Sequence, residues 1–211
     1  LLSGVPVIVK PATTTAWLTQ RMVKDVVDAG IFPAGAISVI CGSSAGLMDQ
    51  LEPFDVVSFT GSADTAAIIR SHPAVTKKSV RVNIEADSVN SALLLPTEAT
   101  GSEAIDLLVK EVAREMTVKS GQKCTAIRRA IVPRKHLDAV AEKIKARLAK
   151  VVVGDPSVEG VKMGALASKS QQSDVAERVA LLRQSAELVC GGDANFSLVG
   201  EGVAHGAFLD R

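Results

Sequence analysis

Apolar residues recur at two periods along the chain, and the two periods alternate. Short apolar runs bounded by Gly, Pro or polar clusters predict strands over residues 6–9, 36–41, 56–59 and 80–84. Between them, residues 15–29 place Trp17, Leu18, Met22, Val26 and Val27 at helical spacing, and residues 63–71 predict a second helix. A turn over 42–46 and a short helical piece over 47–51 complete this half. Strand and helix in alternation mark a parallel, doubly wound sheet. Ligands of such sheets sit beyond the carboxyl ends of the strands, where Lys10, Gly61, Ser62 and Glu85 all fall.

After Asp87 the pattern restarts. Residues 90–95 predict a strand opening a second sheet, and 101–118 carry Ile105, Leu108, Val109, Val112 and Met116 at helical spacing. Residues 126–132 predict an inward-facing strand, 136–149 and 169–185 two helices, and 187–190 a strand ending at Gly191-Gly192. The expected domains are therefore 1–86 and 87–211.

Composition narrows the class. With 211 residues, 47% of them apolar, and a mean hydropathy of +0.25, the chain can bury a real core. A net charge of +1 with acids and bases interspersed supplies no basic field for nucleic acid or a membrane surface. One Trp, five Phe and no Tyr make no platform for stacked bases. An odd set of cysteines, Cys41, Cys124 and Cys190, argues for a reducing compartment, the cytoplasm. Cys41 and Cys190 end apolar strands and read as inert core thiols, and His72, His136 and His205 share no metal-ligand spacing, so no metal is expected. No apolar run reaches the roughly 20 residues of a membrane span. The chain begins without methionine and without the basic segment of a signal peptide, so its start reads as a cut inside a longer protein.

The candidate chemistry centres on Cys124. It lies in the polar loop Lys119-Ser120-Gly121-Gln122-Lys123, between a predicted helix and a predicted strand, with Lys123 and Arg128 near enough to favour a thiolate. The plain alternative is a small hydrophobic residue. Glu85, at a strand end, is either a general base or a glutamate on a solvated face. Thr60-Gly61-Ser62 leads into a helix whose free N–H groups suit a phosphate, although the same junction is ordinary capping. Lys10-Pro11 is a cofactor contact or an ordinary strand end. The bases from Arg128-Arg129 to Arg134-Lys135 either meet the phosphates of coenzyme A or form a solvated face.

Together the motifs VIVKP (7–11), FTGS (59–62), Ile84-Glu85 and GQKCT (121–125), in this order, resemble the aldehyde dehydrogenase superfamily over nearly the whole chain. Within it, NIEADSVNSALLL and GQKCTAIRRAIVPRK resemble the semialdehyde dehydrogenase domains of bifunctional ring-opening enzymes of phenylacetate degradation, and next those of the benzoyl-CoA route. The resemblance implies an α/β, three-layer αβα fold, with part of a Rossmann-type cofactor domain followed by part of the catalytic, thiol-bearing domain. It implies Cys124 as nucleophile and Glu85 as the base that activates the deacylating water. It implies Lys10, Thr13, Gly61, Ser62 and Ala86 as cofactor-binding residues.

Thr13 stands where NAD-restricted relatives carry a glutamate, so NADP is the expected coenzyme, with NAD also admitted. Two departures stand out. Ala66 replaces a family glycine and leaves less room at the cofactor, and Ala86-Asp87-Ser88 replace Leu-Gly-Gly after Glu85. The implied substrate is a CoA-linked semialdehyde. The implied partners are other copies of the same chain and a fused hydratase domain. Two other readings stay open: a cofactor-binding fragment without turnover, since the family's oxyanion asparagine and later ribose motif fall outside these residues, and an acyl-phosphate reductase, which has no use for Glu85.

Overall fold

Three strand–helix–strand units follow one another along the chain, each closing a parallel pair. Residues 1–44, 46–97, 99, 101–192 and 196–210 are described, in a computed structural model; Ala45, inside the turn expected over 42–46, lies outside them. Parallel neighbours need a crossover of a dozen or more residues, and here each crossover is helical. β1 (Val7–Val9) passes through α1 (Ala16–Asp28) to β2 (Ile37–Val39). β3 (Val56–Gly61) passes through α2 (Ala63–Ser71) and α3 (Pro73–Thr76) to β4 (Arg81–Ala86), with Thr60 opposite Glu85 and Gly61 opposite Ala86. β5 (Asn90–Leu93) passes through α4 (Glu103–Thr117) to β6 (Ile127–Ile131). α5 (Leu137–Leu148) and α6 (Lys169–Leu182) follow.

The chain divides into two compact units, Leu1–Asp87 and Ser88–Arg211. In the second, Ile105, Leu108, Val109 and Val112 of α4 pack with Leu94 and Val140 into one buried cluster. Side chains of this kind contribute roughly 1.5–3 kcal/mol each when fully buried. A smaller cluster of Val153, Met163 and Phe208 is tied by the bridges Val153–Met163 and Gly154–Val199. A Cβ on Gly154 would stand 2.0 Å from the Val199 carbonyl oxygen, so this crossing admits glycine alone.

Several expectations need correction. The second sheet expected after Asp87 is present as the β5–β6 pair, but among the described residues the single doubly wound sheet expected before it is two separate pairs, β1–β2 and β3–β4. α1 turns Ala16, Thr19, Val23 and Val26 inward and leaves Trp17 71% exposed, because β2 covers only one flank of the helix. α4 buries the predicted stripe except at its last turn, where Met116 is exposed and Glu115 and Thr117 are buried in its place. β6 is exposed along most of its length rather than inward-facing. Residues 187–190 form no strand, because no neighbouring strand pairs with them. Cys41 is exposed and Cys190 only half-buried, so neither is a core thiol. No helix among the described residues is long and apolar enough to cross a membrane.

Candidate active site

The backbone of the thiol loop is strained before any side chain acts on it. Lys119 (φ 52°), Ser120 (φ 54°) and Gly121 (φ 72°) are all left-handed, and only the last is a glycine. Non-glycine residues persist in that region when their surroundings over-determine them, and the surroundings here do so. The Ser120 hydroxyl donates to the Gly164 carbonyl at 2.7 Å, reaching the smaller core cluster. Gln122 donates from Nε2 to the Lys119 carbonyl (2.9 Å) and accepts from the Ala167 N–H at Oε1 (3.0 Å). Arg128 donates from its two terminal nitrogens to the carbonyls of Gly121 (3.0 Å) and Lys123 (3.1 Å). Ser88 Oγ and Asn90 Nδ2, the latter at 2.7 Å, both donate to the Cys124 carbonyl.

The result is a thiol on a fixed peptide. Cys124 is exposed, and among the described residues its own N–H donates to nothing. Lys123 and Arg128, expected to favour the thiolate, are engaged elsewhere. Lys123 Nζ reaches both carboxylate oxygens of Glu115, at 2.6 and 2.8 Å, and Arg128 serves the loop carbonyls. Glu115, Ser88, Asn90 and Ser120 were not singled out from sequence. For Glu115 a signal exists, since it follows Leu108 and Val112 on the inward stripe of α4, where a charged residue requires a partner.

In the first unit the expected residues fall at the ends of three strands, β1, β3 and β4. Lys10 follows β1 and Thr13 opens the short turn before α1, both exposed. Gly61 and Ala86 are register partners, and Glu85 lies opposite Thr60 with its side chain on the exposed face of the β3–β4 pair. Ser62 caps α2, its Oγ accepting from the Thr65 N–H at 3.2 Å. With Thr65 taken by this cap, the N–H groups of Ala63 and Asp64 are the ones in the first turn of this nine-residue helix left for a phosphate, although Asp64 sets a negative charge in the same turn. Ala66, expected to crowd the cofactor, is instead fully buried in a helix that packs on β3 and β4. Asp87 closes β4 in the left-handed region (φ 49°), its N–H on the Gly61 carbonyl at 3.0 Å. Aspartate tolerates this conformation, so the first glycine of the expected Leu-Gly-Gly is replaced without loss of the turn.

The aldehyde dehydrogenase family matches residues 1–210. The chain belongs to that family. It is 56% identical over 209 residues to the 3,4-dehydroadipyl-CoA semialdehyde dehydrogenase of Aromatoleum evansii, covering 99% of this chain and 41% of that protein. It is 30% identical over 199 residues to a 3-succinoylsemialdehyde-pyridine dehydrogenase of Pseudomonas, covering 91% and 39%. The chain thus spans about two fifths of the length of these curated relatives. Among solved structures, an aldehyde dehydrogenase of Mycobacterium tuberculosis complexed with NAD+ superposes with a TM-score of 0.81 at 24% identity, over 99% of this chain and 41% of that one. Aldehyde dehydrogenase C of Pseudomonas syringae, complexed with NAD+ and octanal, gives 0.81 at 27% identity, over 97% and 40%. The α/β architecture is that of the aldehyde dehydrogenases.

Proposed function

We propose that the enzyme containing this chain oxidises a CoA-linked semialdehyde to the carboxylic acid, with Cys124 as nucleophile and Glu85 as general base. The observation that carries the reading is the loop itself. An exposed thiol sits on a peptide whose carbonyl is pinned by two donors while its N–H is left available. The 56% identity to a 3,4-dehydroadipyl-CoA semialdehyde dehydrogenase supports the substrate class.

Cys124, as thiolate, attacks the aldehyde carbon and forms a thiohemiacetal. The Cys124 N–H, which has no acceptor among the described residues, would donate to the resulting oxyanion. A bound nicotinamide coenzyme supplies the acceptor for the hydride that leaves this carbon, and the product is a thioester on Cys124. Glu85 takes a proton from water as the water attacks the thioester; the thiolate leaves and the acid is released. Lys10, Gly61, Ser62 and Ala86 are the residues that would hold the coenzyme. Thr13, neutral where a carboxylate would repel a 2′-phosphate, favours NADP.

Substituting Cys124→Ala in the full-length enzyme tests the assignment. Aldehyde oxidation should be abolished while coenzyme affinity, measured by fluorescence titration, stays within about three-fold, since the thiol makes the covalent bond and not the coenzyme contact. Retained turnover overturns the reading.

A further inference from the structure

We propose that Glu115 and Lys123 form a clamp that positions the thiol and withholds a positive charge from it, with Glu115 as a positioning residue of the reaction. The sequence places a lysine next to the nucleophile, an arrangement that would ordinarily lower the thiol's proton affinity. The structure takes that lysine away. Its ammonium makes a two-pronged contact with Glu115 at 2.6 and 2.8 Å, and the Glu115 side chain is only 9% exposed. The pair joins the last turn of α4 to the residue before Cys124 across the left-handed segment 119–121, which has no regular ladder of its own. The other nearby cation, Arg128, is occupied by the carbonyls of Gly121 and Lys123. A carboxylate this well covered is retained at a cost unless its partner is in place. Its partner is the residue immediately before the nucleophile in the chain, where a fixed peptide matters most.

The proposal rests on Cys124 as the nucleophile, but one of its readouts does not. In the full-length enzyme, iodoacetamide labelling of Cys124 is followed by peptide mass spectrometry, with the exposed Cys41 of the same molecule as rate standard. In Glu115→Gln the lysine is a lone ammonium beside the thiol. The Cys124-to-Cys41 rate ratio should then rise about three-fold near neutral pH, and the midpoint of its pH profile should move down. Lys123→Met should give no such rise.

For turnover, both variants should lose roughly ten-fold or more in kcat, with coenzyme KM within about two-fold, because the pair acts through the position of Cys124. Lys123→Arg, able to make the same two-pronged pair, should keep kcat within about three-fold. An unchanged labelling ratio in Glu115→Gln, or an unchanged kcat in both Glu115→Gln and Lys123→Met, overturns the proposal. If Glu115→Gln does not fold, the contrast between Lys123→Arg and Lys123→Met decides, and equal losses in the two overturn it. Turnover surviving Cys124→Ala would instead remove the functional reading, leaving the labelling result to stand by itself.

Discussion

Asp87 and the segment Lys119–Ser120 put three non-glycine residues into left-handed backbone beside the proposed chemistry. At Asp87 the cost is softened by the residue type, because a short polar side chain tolerates this region where a β-branched one does not. Asp87→Gly should therefore leave stability within about half a kcal/mol, strain relief being offset by a freer unfolded chain. Asp87→Val should lower it by roughly 1–2 kcal/mol, both read from urea unfolding. The thiol loop stood out as a candidate in the sequence, since GQKC and its neighbours are local strings. It did not expose the roles of Lys123 and Arg128, because proximity in sequence does not say which partner a long, flexible side chain takes. Lys123 turns to a carboxylate eight residues back and Arg128 to backbone carbonyls, so both stiffen the loop where charge donation to the thiol was expected.

Helices were legible as elements more than as orientations. The 3.6-residue period found α4 within two residues at each end, yet the period could not tell that its last turn would bury Glu115 and release Met116. That turn answers to the thiol loop instead of the apolar core, and polar burial where a pattern calls for a hydrophobe is expected at functional sites. α1 shows the same limit from the other side, since its apolar residues are more numerous than the flank β2 can cover. The two helices make opposite predictions for members of equally good stripes. Ile105→Ala, at a position 1% exposed, should cost about 2–5 kcal/mol in thermal or urea unfolding. Trp17→Ala, at 71% exposed, should change stability by no more than about 0.5 kcal/mol. The absent strand at 187–190 has a related cause: an apolar tetrad becomes a strand only when another strand offers its backbone groups, and a single run carries no information about that neighbour.

At the scale of the whole molecule, the proposed catalytic residues fall in different units, Glu85 at a strand end of the first and Cys124 on the loop of the second. The alternation of strand and helix made the three crossovers legible, and the restart after Asp87 marked the second sheet, while the break between the β1–β2 and β3–β4 pairs was not legible, because apolar runs give strand positions and not strand neighbours. If Glu85 serves only hydrolysis, the two chemical steps are separable, since hydride departure from the thiohemiacetal precedes the attack of water. Glu85→Gln, which keeps the shape and removes the base, should then retain the pre-steady-state burst of reduced coenzyme. Steady turnover should fall by about 10²–10⁴-fold, the usual contribution of a positioned general base. The acyl group should accumulate on Cys124, be visible by intact-mass spectrometry, and be released by hydroxylamine, a nucleophile that attacks a thioester unaided. Loss of the burst together with turnover would assign Glu85 to the earlier step of thiol activation. Unchanged turnover would remove it from the reaction and make Asp87, two residues on at the turn that ends β4, the carboxylate to substitute next.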